Sequence, residues 1–323
     1  MTRKHLLMIS VAACALSLVG VLIDELNRNA DAPYVRITRS LPALWAVAFA
    51  KHGESSDSRM RFTEEETIRK SFTFNAAGGP RRLEVDNVFG SIEVVAAKAD
   101  QVQLVVAKAI RAESQERLEA ARSDVKLDTS QTGNEVRLYV NGPFRCHCSG
   151  DCVGVRDDEG YRVRMDFQVQ VPSNINLKLS TVNEGKIMVQ GVGGDFSVRN
   201  VNGEIEMFEV AGSGRARTVN GGVRVTFREN PRANSEFASL NGSVELQFAK
   251  NLSADFRFKT LNGAVYTDYS LTALPERPPV QERRNGKLVF RTDRYTGGRV
   301  GSGGPEIKLE NLNGDIRVLE RRS

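Results

Sequence analysis

One phrase recurs through the second half of the chain and constrains its fold more than any other feature. Thr218-Val219-Asn220-Gly221-Gly222-Val223 returns as Asn200-Val201-Asn202-Gly203-Glu204-Ile205, Ser239-Leu240-Asn241-Gly242-Ser243-Val244, Thr260-Leu261-Asn262-Gly263-Ala264-Val265 and Asn311-Leu312-Asn313-Gly314-Asp315-Ile316. A sixth copy, Thr181-Val182-Asn183-Glu184-Gly185-Lys186-Ile187, carries one inserted residue between Asn183 and Gly185. The template is small polar, Val or Leu, Asn, Gly, any residue, Ile or Val. Steps between successive Asn residues are 19, 18, 21, 21 and then 51. A step of about twenty residues is a coil length of stacked-strand repeats and too short for helical ones.

Each step holds two stretches of period 2. Phe196 and Val198 alternate with Asp195, Ser197 and Arg199, and after the corner Ile205 and Met207 alternate with Glu204 and Glu206. One strand therefore leads into each Asn-Gly corner and another leaves it, with the apolar residues inward. Phe256 and Phe258 before Leu261 take the same inward role.

Asn-Gly between alternating strands is also a hairpin signal, because both residues accept positive φ in a tight primed turn. An antiparallel meander or sandwich is the competing fold. The uniform Asn favours stacking instead, since a hairpin corner also accepts Asp or Gly. An amide both donates and accepts, so in-register copies can bond to the coils above and below. The expectation is an all-β chain, a β-solenoid in which Asn183, Asn202, Asn220, Asn241, Asn262 and Asn313, with Gly185, Gly203, Gly221, Gly242, Gly263 and Gly314, are structural.

Upstream, Asn87-Val88-Phe89-Gly90-Ser91-Ile92 is the phrase with Phe89 in the Asn place, and reads as an atypical first coil. Residues 71–79, 82–95, 101–109, 124–128, 135–140 and 161–171 alternate as strands, while residues 114–123 are helix formers behind Ser114, a good cap. That short helix is expected to cover an open sheet end. Residues 275–284 and 296–305, rich in Pro and Gly, read as loop insertions that account for the 51-residue step and as candidate partner contacts.

The amino terminus points to export. Residues 6–23 are apolar, follow Arg3 and Lys4, and end at Asp24, as in a signal peptide or a signal-anchor helix. Residues 11–14 resemble a lipoprotein processing site, making Cys14 a lipidation candidate. A ten-residue apolar stretch, 41–50, ends in a small-x-small pattern that also resembles a signal-peptide end, and the true translation start is open. The expected organisation is 1–25 signal or anchor, 26–70 juxtamembrane linker, 71–175 amino-terminal β region with helix and Cys loop, and 176–323 repeats.

The array of corner phrases, the strand end Val169-Gln170-Val171-Pro172 and the closing run from Gly301 to Leu309 resemble the bacterial putative-adhesin family of unknown function, built of β-strand repeats. The resemblance spans roughly Phe72 to Val318. It implies an envelope β-solenoid with no known catalytic activity, and carries over no functional residues.

Chemistry is sparse. Cys146, His147, Cys148 and Cys152 could hold zinc, form a redox pair or make a disulfide of Cys152 with Cys146 or Cys148. In an exported chain the disulfide is favoured, because neighbouring Cys, His and Cys cannot all turn to one metal. The chain has three His, of which only His147 lies beyond the first seventy residues, leaving little for a Ser-His-Asp arrangement. Glu204 and Glu206 read as solvated outer-face charges, and residues 157–159 as a solvated acidic loop. The 45 Lys and Arg against 40 Asp and Glu are scattered, so nucleic acid is not a favoured partner. The expected role is a non-enzymatic envelope scaffold, without cofactor or metal, tethered by residues 6–23 and touching envelope proteins or glycans. The competing readings are an ectodomain of a sensory or regulatory system and, more remotely, a glycan-active enzyme.

Overall fold

In a computed structural model of the chain, the residues described are 59–75, 79–145, 160–276, 280–284, 287–291 and 295–321. Residues 6–23, Cys14, the 41–50 stretch, the Cys146–Cys152 loop and the 157–159 acids lie outside them. Within them the chain is all-β, with one short helix.

In chain order the strands are β1 (Phe62–Thr73), β2 (Arg82–Asp86), β3 (Ile92–Ala97), β4 (Gln101–Ala112), β5 (Lys126–Thr132), β6 (Glu135–Asn141), β7 (Tyr161–Pro172), β8 (Asn176–Thr181), β9 (Ile187–Gln190), β10 (Phe196–Asn200), β11 (Ile205–Val210) and β12 (Gly214–Asn220). They continue as β13 (Val223–Phe227), β14 (Ser235–Asn241), β15 (Val244–Phe248), β16 (Ala254–Asn262), β17 (Val265–Thr267), β18 (Thr272–Leu274), β19 (Val280–Arg284), β20 (Lys287–Arg291), β21 (Thr296–Val300), β22 (Glu306–Asn313) and β23 (Ile316–Glu320). Helix α1 (Gln115–Asp124) falls between β4 and β5.

The strands make two mixed sheets and a separate β19–β20 hairpin. The first sheet runs β1-β4-β7-β3-β9-β11-β13-β15-β23-β17, and the second β18-β21-β16-β22-β14-β12-β10-β8-β2-β6-β5. In every copy of the phrase the strand before the corner lies in the second sheet and the strand after it in the first. Successive copies pair in parallel and in register: Phe196 faces Gly214, and Ile205 faces Val223. The parallel register disposes of the antiparallel meander.

Alternation places the core as the sequence implies. Phe196, Val198, Ile205, Met207, Phe256 and Phe258 are all buried. Phe227 stacks on Phe248 with centroids 4.9 Å apart, and Phe256 stacks on Phe258 at 5.5 Å, giving the last coils an aromatic spine.

Four expectations change. First, the copies do not stack in sequence order: β22 lies between β14 and β16, and β23 between β15 and β17, so the Asn313 copy sits between the Asn241 and Asn262 copies. Every copy shares one template, so sequence similarity alone does not say which neighbour it meets. Second, residues 296–300, expected as loop, form β21, antiparallel to β16. Gly297 and Gly298 lie where the side chains of Arg257 and Leu271 fill the space of a Cβ. Third, residues 280–284, also expected as loop, form β19. Fourth, β1 begins at Phe62, within the stretch expected to be linker. Only Glu64, Ile68 and Phe72 of β1 are even half-buried, so the strand lacks the period-2 apolar signal and is held by pairing along β4.

Helix α1 begins where its cap predicts: Ser114 Oγ accepts from the backbone N–H of Arg117 at 3.2 Å. It packs on β4, β7 and β1, at the amino-terminal end of the first sheet. At its other end the buried Lys108 donates to the Val125 carbonyl at 2.9 Å, and burial holds the Lys108 ammonium below the usual lysine range.

Candidate functional site, the repeated corner

The corner joins one strand of each sheet, and its geometry follows from three side-chain columns. The outermost is the amide row. Asn202 donates to Asn183 Oδ1 at 2.6 Å, Asn220 to Asn202 at 2.7 Å, Asn241 to Asn220 at 2.8 Å, Asn313 to Asn241 at 2.7 Å and Asn262 to Asn313 at 2.8 Å. All six predicted Asn side chains are thus brought into one continuous row. Every Nδ2 points toward the amino-terminal end, so the row has a polarity.

Its two ends differ. Phe89 bridges Asn183 in parallel and offers no polar group, and its ring packs edge-on to Phe144 at 5.9 Å. At the other end the Asn262 side-chain carbonyl accepts no bond among the described residues. The inserted Glu184 takes φ 59, a left-handed conformation that absorbs the extra residue and keeps Asn183 in line.

The second column explains the Gly. A Cβ on Gly203 or Gly221 would lie under 3 Å from the carbonyl oxygen of the preceding corner Gly, Gly185 or Gly203, and the same holds along the column to Gly263. Positive φ, which a hairpin corner would need, is absent at Gly185, Gly203 and Gly263. Close backbone approach is the common requirement.

The third column is the small polar residue that opens the phrase, whose role the sequence reading missed. Thr218 Oγ1 donates to the Gly203 carbonyl and Ser239 Oγ to the Gly221 carbonyl, both at 2.8 Å, and Thr181 Oγ1 to the Gly90 carbonyl at 2.9 Å. Asn200 donates to the Gly185 carbonyl at 3.0 Å and Asn311 to that of Gly242 at 2.7 Å. These side chains face inward, nearly fully buried, and satisfy corner carbonyls that the strand ladders leave free. The amide oxygens of Asn200 and Asn311 have no partner among the described residues. The available signal was the restriction of that position to Ser, Thr and Asn.

Between the amide row and the inner column stand Val201, Val219, Leu240 and Leu261, exposed from 36% to 71%. The corner therefore presents an apolar stripe beside an amide row, repeated at the strand spacing of about 4.8 Å. Each interior amide uses one donor and one acceptor in the row and keeps one of each for a ligand.

Of the two outer-face carboxylates Glu204 and Glu206, Glu206 is ion-paired. Glu206 meets Lys186 at 3.1 Å and Arg224 at 3.3 Å, and Arg224 in turn approaches Glu245 at 3.9 Å. Glu206, Arg224 and Glu245 line a shallow depression on the outer face of the first sheet with Glu204, Gly222 and Ser243. Near the carboxyl end, burial pushes the Tyr269 hydroxyl up to about 12. Among the described residues no group of three or more His, Cys, Asp or Glu is placed to hold a metal, and no helix is long and apolar enough to cross a membrane.

No protein-family model and no curated protein matches the chain. Solved structures do. The chain is similar to a putative cell adhesion protein from Clostridium sporogenes, at 11% identity and a TM-score of 0.41, over 80% of this chain and 100% of that one. It is similar to a putative adhesin from Bacteroides fragilis, at 11% identity and a TM-score of 0.35, over 79% and 97%. A putative lipid binding protein from Parabacteroides distasonis aligns at 7% identity and a TM-score of 0.29, over 79% and 97%.

Proposed function

We propose that this chain is a non-enzymatic, adhesin-like β-solenoid scaffold of the bacterial envelope, exported through residues 6–23, tethered by them to the inner membrane, and a member of the putative-adhesin family. One observation carries the reading: a single row of amide bonds joins six corners from Asn183 to Asn262, so the repeat builds a continuous surface rather than a pocket. Such a surface suits contact with an extended partner, protein or glycan, along its length. On the outer face of the first sheet Glu206 is ion-paired to both Lys186 and Arg224.

The test has two parts. Mass spectrometry of the native amino terminus distinguishes a start at Met1, at a lipidated Cys14, near Asp24 or near Lys51. Export fails if the chain is found unprocessed in the cytoplasm. Binding of the purified chain to cells and to arrayed glycans is expected to weaken when Val219 and Leu240 are both changed to Ser. Co-purification with one envelope protein and no cell or glycan binding would replace the adhesive reading with the regulatory one.

A further inference from the structure

The out-of-order coil carries an inference of its own, resting on strand register and independent of the envelope role. The described residues between 254 and 320 form one unit at the end of the stack. Within it β16 is flanked by β21 on one side and β22 on the other, and Arg299 clasps Asp255 at 2.7 Å. The unit meets the rest of the chain chiefly through one coil face, β22 on β14 and β23 on β15. It is joined to β15 by residues 249–253 alone.

That connection is unlike its counterparts. Residues 211–213 carry the chain from β11 to the adjacent coil, one strand spacing away. Residues 249–253 must climb two spacings, about 10 Å, because the Asn313 coil occupies the place between. Asn251 within it takes φ 61, the left-handed turn conformation that Asn tolerates better than most L residues. A hinge cut close to the length of its path favours exchange between copies.

The amide polarity then selects the pairing. If the unit swings out, the β14/β15 edge is left with an amide acceptor, Asn241 Oδ1, and the β22/β23 edge with an amide donor, Asn313 Nδ2. Neither edge satisfies a second copy of itself. Each satisfies the other, and the partner of identical chemistry is the same edge on another molecule.

We infer that the unit spanning residues 254–320 is exchanged reciprocally between two copies of this chain, with residues 249–253 as the hinge and the β14/β15 edge as the acceptor surface. The swapped dimer repeats the β14–β22 and β15–β23 ladders and the Asn241–Asn313 amide bond of the closed chain. Reclosure within one molecule has a high effective concentration, so the closed form dominates when dilute and the dimer when concentrated.

The hinge length gives the test. Deleting Lys250 and Asn251 leaves four Cα steps, spanning at most about 14 Å. The direct path, two strand spacings up and one sheet separation across, is also about 14 Å. Full-length chain refolded in detergent at high concentration and measured by light scattering is expected to be mostly dimeric when shortened. With four Gly-Ser residues added to the hinge, the dimer fraction should fall about tenfold. A second measurement does not depend on how the shortened chain folds. In chains whose four Cys are Ser, one copy carries Glu245→Cys and the other Arg317→Cys, Cα partners in β15 and β23. Co-refolding is expected to give a disulfide between the two chains, and Gln247→Cys with Leu319→Cys should repeat it. Equal dimer fractions for both hinge lengths, or no interchain disulfide with either pair, overturns the inference.

Discussion

Asn313 donates its side-chain amide to Asn241 at 2.7 Å, across a sequence separation of 72, and accepts from Asn262 at 2.8 Å. The carboxyl-terminal copy is thus an interior member of the row, and the copy preceding it in sequence is the terminal one. Removing the Asn313 side chain breaks two amide bonds, whereas removing that of Asn262 breaks one. Asn313→Ala is expected to cost about 1–2 kcal/mol and Asn262→Ala about half that, from the net value of about 1 kcal/mol per hydrogen bond. Urea unfolding measures both. Equal costs would show that the row contributes nothing beyond local propensity.

Gly221 and Gly222 are adjacent, yet their surroundings oppose each other. A Cβ on Gly221 would press into the Gly203 backbone, while on Gly222 the nearest atom would lie 3.5 Å away. Gly221→Ala is expected to cost about 3 kcal/mol or more by backbone strain and displacement of the stacked coil. Gly222→Ala should lie within about 0.5 kcal/mol of neutral, since it meets only ordinary contact. Thermal unfolding of the two variants checks the contrast.

Inside the corner, Asn200 leaves its amide oxygen unpaired although the residue is only 3% exposed. Thr218 fills the equivalent place in the next copy and makes its bond at 2.8 Å with nothing left over. Asn200→Thr is therefore expected to be neutral or to stabilise by up to about 1 kcal/mol, because a buried unsatisfied acceptor is removed. Asn200→Leu, which strands the Gly185 carbonyl, should destabilise by about 1–3 kcal/mol. Chemical denaturation of both decides whether bonding or mere size governs the position.

Much of this architecture was legible in the sequence, for reasons that individual residues make clear. The strand pair around each corner announced itself because Phe196, Val198, Ile205 and Met207 alternate with charges, and one buried face forces period 2. The Asn stood out because an amide can donate and accept at once along a row, which the Asp or Gly of a hairpin corner cannot. The order of the coils was not legible: the phrases at Asn262 and Asn313 offer the same donor, acceptor and apolar positions, so either fits against Asn241. Strand β1 was missed because an edge strand paired along one side needs little apolar alternation. The purpose of the Gly was not legible, because close approach of Gly203 to Gly185 is a relation between coils, which local φ preference does not encode.

The aromatic spine predicts where core truncation hurts most. Phe248 is fully buried, stacks on Phe227 at 4.9 Å and meets Phe256 edge-on at 5.8 Å, linking the β15 coil to the carboxyl-terminal unit. Phe248→Ala is expected to cost about 3–5 kcal/mol by lost burial and a residual cavity. Phe62→Ala, at a residue 38% exposed, should cost less than about 1 kcal/mol. Comparable losses at the two sites, read by urea unfolding, would mean that the last coils are not packed as a single core.

Asp255 on β16 ties that unit together and sets its behaviour in acid. The hydrogen bond from Arg299 holds the Asp255 carboxyl below its usual range, aided by the nearby charges of Arg299 and Arg257 against the opposing effect of burial. A folded pKa below the unfolded value means that the native state favours the ionised form. The resulting stabilisation is present above the unfolded value, near 3.9, and is lost as pH falls through the folded one. Unfolding temperatures of the parent and of Asp255→Asn should therefore differ at pH 7 and converge as pH falls below the folded value. The NMR titration midpoint of Asp255 should rise toward the ordinary carboxylate value in Arg299→Gln. A constant gap between parent and Asp255→Asn across that range would assign the clasp to its shape rather than its charge.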